Sequence, residues 1–256
     1  MATALVTGGT AGIGAAFARA LAARGDDLVL VARDAERLAA MAAEITERYA
    51  VTVEVIAADL GRPDDVQRIA KRVESTESPI DLLVNNAGFG VKAHLLDADT
   101  SVHERAIDVM VRAVLVLGGA AGRSMSERGY GAVVNVASTA AFVTMGGYSA
   151  IKAWVLTYSE SLAVELHGTG VTVTALCPGF VRTELHQRAA IRTSSLPSPL
   201  WLLADDVVRD ALADVARQKV ISIPSRRYRL AMFLARHAPR PAIRAVSARL
   251  RSTRHE

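Results

Sequence analysis

The 256-residue chain is 51% hydrophobic and carries 30 Lys and Arg against 26 Asp and Glu, a formal charge of +4. Its length suits one doubly wound domain with a large core. No run reaches the roughly 18 to 20 apolar residues of a spanning helix, and the lone Cys177 excludes an internal disulfide.

Residues 3–7, Thr-Ala-Leu-Val-Thr, form a short β-prone run. A glycine-rich turn follows, Gly8-Gly9-Thr10-Ala11-Gly12-Ile13-Gly14, and then a helical stretch over 15–24. In this strand, turn and helix start, Gly8 takes the tight turn, Gly12 lets amides approach a pyrophosphate and Gly14 lets the helix pack closely. Phosphate charge is favoured at a helix amino terminus by free N–H groups and the macrodipole. The spacing Gly-x3-Gly-x-Gly departs from the Gly-x-Gly-x-x-Gly dinucleotide fingerprint.

The second strand, 27–32, ends at Ala32 and is followed by Arg33 and Asp34. A carboxylate at that strand end would bind ribose hydroxyls and repel a 2′-phosphate, whereas Arg grips a phosphate bidentately. NADP(H) is therefore preferred, with NAD(H) still possible. Asp34 reads first as an N-cap of the next helix. Further strands are predicted over 52–58, 80–84, 132–137, 171–177 and 220–223, and helices over 35–49, 66–73, 101–126, 148–167 and 205–217. The alternation predicts an α/β fold, a Rossmann-like parallel sheet of about seven strands with helices on both faces. The core domain is expected over 1–225, extended by a basic helical tail over 226–256.

The run 132–137 is apolar enough for a buried strand, and the carboxyl end of such a strand is where an open parallel sheet binds ligands. Ser138 sits there, able to hold a substrate oxygen or to cap the next segment. Tyr148 and Lys152, four apart, share one helical face. The chain has only four Lys among its 30 basic residues, and a compact ammonium beside a phenol favours the phenolate. Tyr148 is expected to titrate below its free value of roughly 10 and to serve as a general acid/base.

With Asn85-Asn86-Ala87-Gly88 and Pro178-Gly179 at later strand ends, the chain from Thr3 to about Thr183 resembles the short-chain dehydrogenase/reductase family. Thr7, Gly8, Gly12 and Gly14 match its cofactor loop, with Thr10 and Ile13 inside it. Asp59-Leu60 match the pair that contacts adenine. Asn86-Ala87-Gly88 match its sheet-stabilising turn, and Pro178-Gly179 with Val181 and Thr183 match the segment over the nicotinamide. Ser138, Tyr148 and Lys152 match its catalytic set. The resemblance implies hydride transfer between nicotinamide C4 and a carbonyl or alcohol carbon, with Lys152 also holding the nicotinamide ribose. It implies no metal site, and pairing of subunits through the fourth and fifth helices into a homodimer or homotetramer. Met110 stands where the family usually carries an Asn that holds a water linked to the catalytic Lys, and the gap from Ser138 to Tyr148 is short. A cofactor-binding sensor with impaired catalysis therefore remains the alternative to an NADP-dependent oxidoreductase.

By the same resemblance, 184–204 is a substrate lid. Its Leu185, Ile191, Leu196, Leu200, Trp201, Leu202 and Leu203 favour a lipophilic ketone or alcohol. Residues 217–256 hold eleven Lys or Arg and one acid, a net of +10 that leaves −6 for the rest. Within the tail, Leu230, Phe233 and Leu234 share a helical face, and Ile243, Val246 and Leu250 form another after Pro239 and Pro241. The tail either contacts an anionic membrane peripherally or packs its apolar stripe over the pocket. No reader motif or aromatic platform accompanies the charge, so nucleic acid is not an expected partner. Met1 leads into the first strand without a charged n-region, and the expected location is cytoplasmic.

Overall fold

The computed structural model describes residues 2–182 and 200–252. Seven parallel strands lie in the order β3-β2-β1-β4-β5-β6-β9. These are β1 (Thr3–Thr7), β2 (Asp27–Ala32), β3 (Val53–Ala57), β4 (Leu82–Asn85), β5 (Gly131–Val136), β6 (Val171–Leu176) and β9 (Ile221–Ser222). A separate short pair joins β7 (Phe180–Val181) to β8 (Trp201–Leu202). The predicted α/β class is the observed one, and the strand ends differ from expectation by one or two residues.

Alternating side chains sort to two faces, as period-two geometry requires. Leu5, Val29, Val31, Leu83, Val133 and Val173 meet α3 (Pro63–Val73), α4 (Ser101–Ile107), α5 (Ala113–Arg128) and α6 (Gly146–Glu165). Val6, Leu28, Leu30, Val84, Val134 and Val136 meet α1 (Gly12–Ala22), α2 (Ala35–Tyr49) and α7 (Ala204–Ala216). Both faces are covered, so the strands read as nearly continuous apolar runs.

Two helices start three residues earlier than periodicity implied. α1 begins at Gly12, within the glycine loop, and α3 begins at Pro63, a residue tolerated at the first helical position, with Asp64 and Asp65 complementing the dipole. The stretch expected as one continuous helix over 101–126 is interrupted. Asp108–Arg112 forms a π-helical segment between α4 and α5. Apolar spacing does not distinguish the two windings over a single turn, and π segments often sit at functional sites.

The tail folds as α8 (Arg226–His237) and α9 (Arg240–Ser252), parted near Pro239 as expected. Of the two arrangements expected for the tail, inward packing of the Leu230, Phe233 and Leu234 stripe is not the one observed. Tyr228, Met232 and Ala235 face the body, while Leu230, Phe233 and Leu234 are 60–63% exposed. α8 packs on the 3-10 turn Thr139–Phe142. In α9, Ile243 is buried, and the buried Ser247 Oγ accepts from Thr144 N at 3.2 Å. Among the described residues, no helix is long and apolar enough to cross a membrane.

Candidate active site

The carboxyl ends of β1 to β6 lie along one edge of the parallel sheet, and the predicted site residues among those described lie at those ends or on the segments that follow them, Tyr148 and Lys152 on α6. At the end of β1, Gly8 adopts a φ of 68° and donates to Val31 O at 2.7 Å. A Cβ at Gly14 would collide with Gly8 O and Asn86 Nδ2, so a side chain there is barred by the turn rather than by the strand. Asn86 Nδ2 donates to Thr7 O at 2.9 Å, and Thr7 Oγ1 accepts from the amides of Asn86 and Ala87 at 2.9 and 3.1 Å. The turn 86–88 thus ties β4 to the glycine loop. No side chain caps α1, and its first turn holds no acid. Its amino-terminal N–H groups are left for an anion. Thr10 and Ile13 are partly exposed on this loop.

At the end of β2, Arg33 is exposed, and Asp34 accepts from Arg37 N at 3.0 Å as the cap of α2. Arg37, four residues from Arg33, reaches the loop and donates to Thr10 O at 3.3 Å. Sequence reasoning missed Arg37, which lies in the first turn of α2 just after the strand end that was read for the cofactor. Asp59 is engaged by Arg105 through both carboxylate oxygens at 2.7 Å. Burial opposes its ionisation, yet these bonds and the Gly61 amide hold its carboxyl below the ordinary value. Leu60 is buried in the core.

After β5, Ser138 takes the capping role considered for it and adds a contact to Tyr148. Its Oγ caps the 3-10 turn by accepting from Ala140 N at 3.1 Å, and it hydrogen-bonds the Tyr148 phenol. Lys152 lies one helical turn below Tyr148, its Nζ 5.7 Å from the ring centroid and donating to Val136 O at 2.7 Å. Sequence, helix and strand end therefore bring the three residues together. The expected acidity of Tyr148 is not what the protein alone provides. Burial pushes the phenol up to about 12 against the pull of Ser138, and burial pushes Lys152 down to about 8.

The π segment carries Met110 into this cluster. Met110 is buried, and a Cβ on Gly88 would lie 2.9 Å from its Sδ and 3.8 Å from Lys152 Nζ. A thioether, a weak acceptor, and the ammonium thus both flank Gly88. After β6, Pro178 O accepts from Thr139 N at 3.0 Å, locking this segment to the residue after Ser138. Val181 is buried against the core. Cys177 is buried with its thiol pushed up to about 12 by desolvation, in keeping with packing rather than reactivity. Thr183 and, of the expected lid, Leu185, Ile191 and Leu196 lie outside the described residues.

A family model described as short chain dehydrogenase matches residues 2–193. The chain belongs to the short-chain dehydrogenase family. An uncharacterized oxidoreductase from Staphylococcus saprophyticus is 36% identical over 185 residues, covering 71% of this chain and 79% of that protein. A short-chain dehydrogenase from Sphingobium yanoikuyae, solved in complex with NADPH, is 37% identical with a TM-score of 0.82, covering 87% of each chain. The bulky-bulky ketone specific alcohol dehydrogenase from Comamonas testosteroni is 31% identical with a TM-score of 0.80, covering 92% of each. Membership makes the protein an oxidoreductase of the short-chain type, in a family that binds NAD(P). The uncapped α1 start, the absence of acid there and the basic Arg33 and Arg37 fit such a cofactor.

Proposed function

We propose that the protein is an NADP(H)-dependent reductase of lipophilic ketones, acting over residues 1–225 with 226–256 as an extension of the same domain. The observation that carries this is the joining of Ser138, Tyr148 and Lys152 at the end of β5. The glycine loop with Gly8, Thr10, Gly12, Ile13 and Gly14 would hold the pyrophosphate, and Arg33, aided by Arg37, the 2′-phosphate. Asp59 and the Leu60 backbone would border the adenine, and Asn86, Ala87 and Gly88 the adjoining ribose. Pro178, Gly179, Val181 and Thr183 would line the nicotinamide side.

The cofactor supplies the hydride. Ser138 Oγ and the Tyr148 hydroxyl receive the substrate carbonyl oxygen, and Tyr148 protonates the oxygen as negative charge develops on it. A phenol titrating near 12 rests protonated, the form that reduction requires. Lys152, titrating near 8, is mostly cationic at neutral pH. Held by Val136 O, it stabilises the phenolate left after proton transfer. Kinship with a bulky-ketone enzyme and the partly exposed Trp201 and Leu202 support a lipophilic substrate. The reading includes a cytoplasmic homodimer or homotetramer, with peripheral membrane contact through the tail.

Replacing Tyr148 by Phe keeps the ring and removes the proton. Ketone reduction should fall by at least ~10²-fold while NADPH binding, followed by fluorescence, persists. Unchanged turnover rejects the assignment. Met110, buried next to Gly88 where the family carries an Asn, favours the second reading, a cofactor-binding sensor. Tight NADPH binding by the parent protein with no turnover across a ketone panel would select it.

A further inference from the structure

Tyr228 belongs to the tail, far in sequence from every motif, yet it touches the strand-end segment beside the reactive cluster. Its hydroxyl accepts from Phe180 N at 3.1 Å and donates to Leu200 O at 2.8 Å. Its ring lies flat enough on Gly179 that a Cβ there would overlap three ring carbons. Phe180 and Leu200 adjoin the β7–β8 pair, where Arg182 N also donates to Leu202 O at 2.9 Å. From Gly179 the connection continues inward. Pro178 O takes hydrogen bonds from Thr139 N at 3.0 Å and Thr139 Oγ1 at 3.3 Å, and Thr139 follows Ser138 directly.

We propose that Tyr228 is a positioning residue for substrate: it fixes the Pro178–Gly179–Phe180 backbone and, through Thr139, the turn that presents Ser138. The tail is then part of the active site rather than an appendage. Gly179 has a reason particular to this chain, because any side chain there displaces the Tyr228 ring. The substrate side of the proposal rests on the reductase reading, whereas the backbone restraint does not.

The Tyr228→Phe variant keeps the ring and deletes both hydrogen bonds. Hydrogen exchange followed by mass spectrometry should quicken about tenfold in peptides spanning 178–182, with the central strands unchanged. KM for a bulky ketone should rise about tenfold, more than kcat falls, while NADPH affinity stays within about twofold. Gly179→Ala should likewise quicken exchange at 178–182 in the parent and add little further in a Tyr228→Ala background, where the ring is gone. Unchanged exchange at 178–182, or a rise spread over the whole sheet, overturns the proposal. A parent protein that reduces no ketone defeats the reductase reading, and the exchange measurement still decides the role of Tyr228.

Discussion

Lys152 is a buried cation with a backbone carbonyl as its hydrogen-bond partner, and its titration is linked to folding. Burial lowers its folded-state value to about 8 from an ordinary 10.5. Between those values the unfolded chain binds more protons, so this group makes stability climb with pH, and below about 8 the burial cost is present in full. Relative to Lys152→Met, the parent should gain on the order of 1–3 kcal/mol of unfolding free energy between pH 8 and 10, read from urea melts. A pH-independent difference would assign Lys152 an ordinary titration. At the other end of the site, Asp34 Oδ1 accepts from Arg37 N in capping α2, and under the proposed reading Arg33 takes the 2′-phosphate. Arg33→Ala should therefore weaken NADPH by about tenfold or more and NADH little, since a charge-assisted hydrogen bond to phosphate contributes about 1.5–3 kcal/mol. Equal losses for the two cofactors would mean that the phosphate is read elsewhere, with Arg37 the next residue to replace.

Among the elements, the layer formed by α4, the π segment, α5 and α6 exposes Ile107, Leu115 and Val164 at 47%, 49% and 76%. Trp154 stacks on Tyr158 with centroids 4.9 Å apart, and Tyr158 donates to Leu115 O at 3.3 Å, giving this surface a fixed aromatic shelf. Self-association through it is expected, and sedimentation velocity at micromolar concentration should return a dimer or tetramer that Leu115→Arg dissociates. A stable monomer from the parent protein contradicts the expectation. The strands that frame the site were legible because buried parallel strands are unbroken apolar runs ending in Gly, Asn, Ser or Pro. Tyr148 and Lys152 were legible because helical spacing alone puts them on one face. The phenol's titration was not, since four-residue spacing reports proximity and says nothing of burial, which here outweighs the pull of Ser138. The π turn at Met110 was hidden for a different reason, because apolar residues there satisfy either winding. In the tail, hydrophobicity marked Leu230, Phe233 and Leu234 as one stripe without fixing whether it faces in or out, and the body accepts Tyr228 through paired backbone groups, which no apolar pattern encodes.

On the scale of the whole molecule, charge and apolar surface meet at the outer face of α8. Leu230, Phe233 and Leu234 are exposed together, and residues 226–252 contain eight Arg and no acid. Arg236 is engaged with Glu160 at 3.6 Å, which helps fix the orientation of the helix on the body. Such a face suits an anionic bilayer, where the apolar side chains enter the headgroup boundary and each basic residue near the surface adds about 1 kcal/mol. Deleting the tail is a poor test, because the deletion also removes Tyr228 and its hold on Phe180. Replacing Leu230 and Phe233 by Ser alters only the outer face. The parent protein should sediment with vesicles containing phosphatidylserine at low salt and less so as salt screens the arginines. The double variant should lose that binding while its kinetics on a water-soluble ketone stay unchanged. Failure of the parent to bind anionic vesicles even at low salt removes the membrane contact and leaves α8 with the inward role of Tyr228 alone.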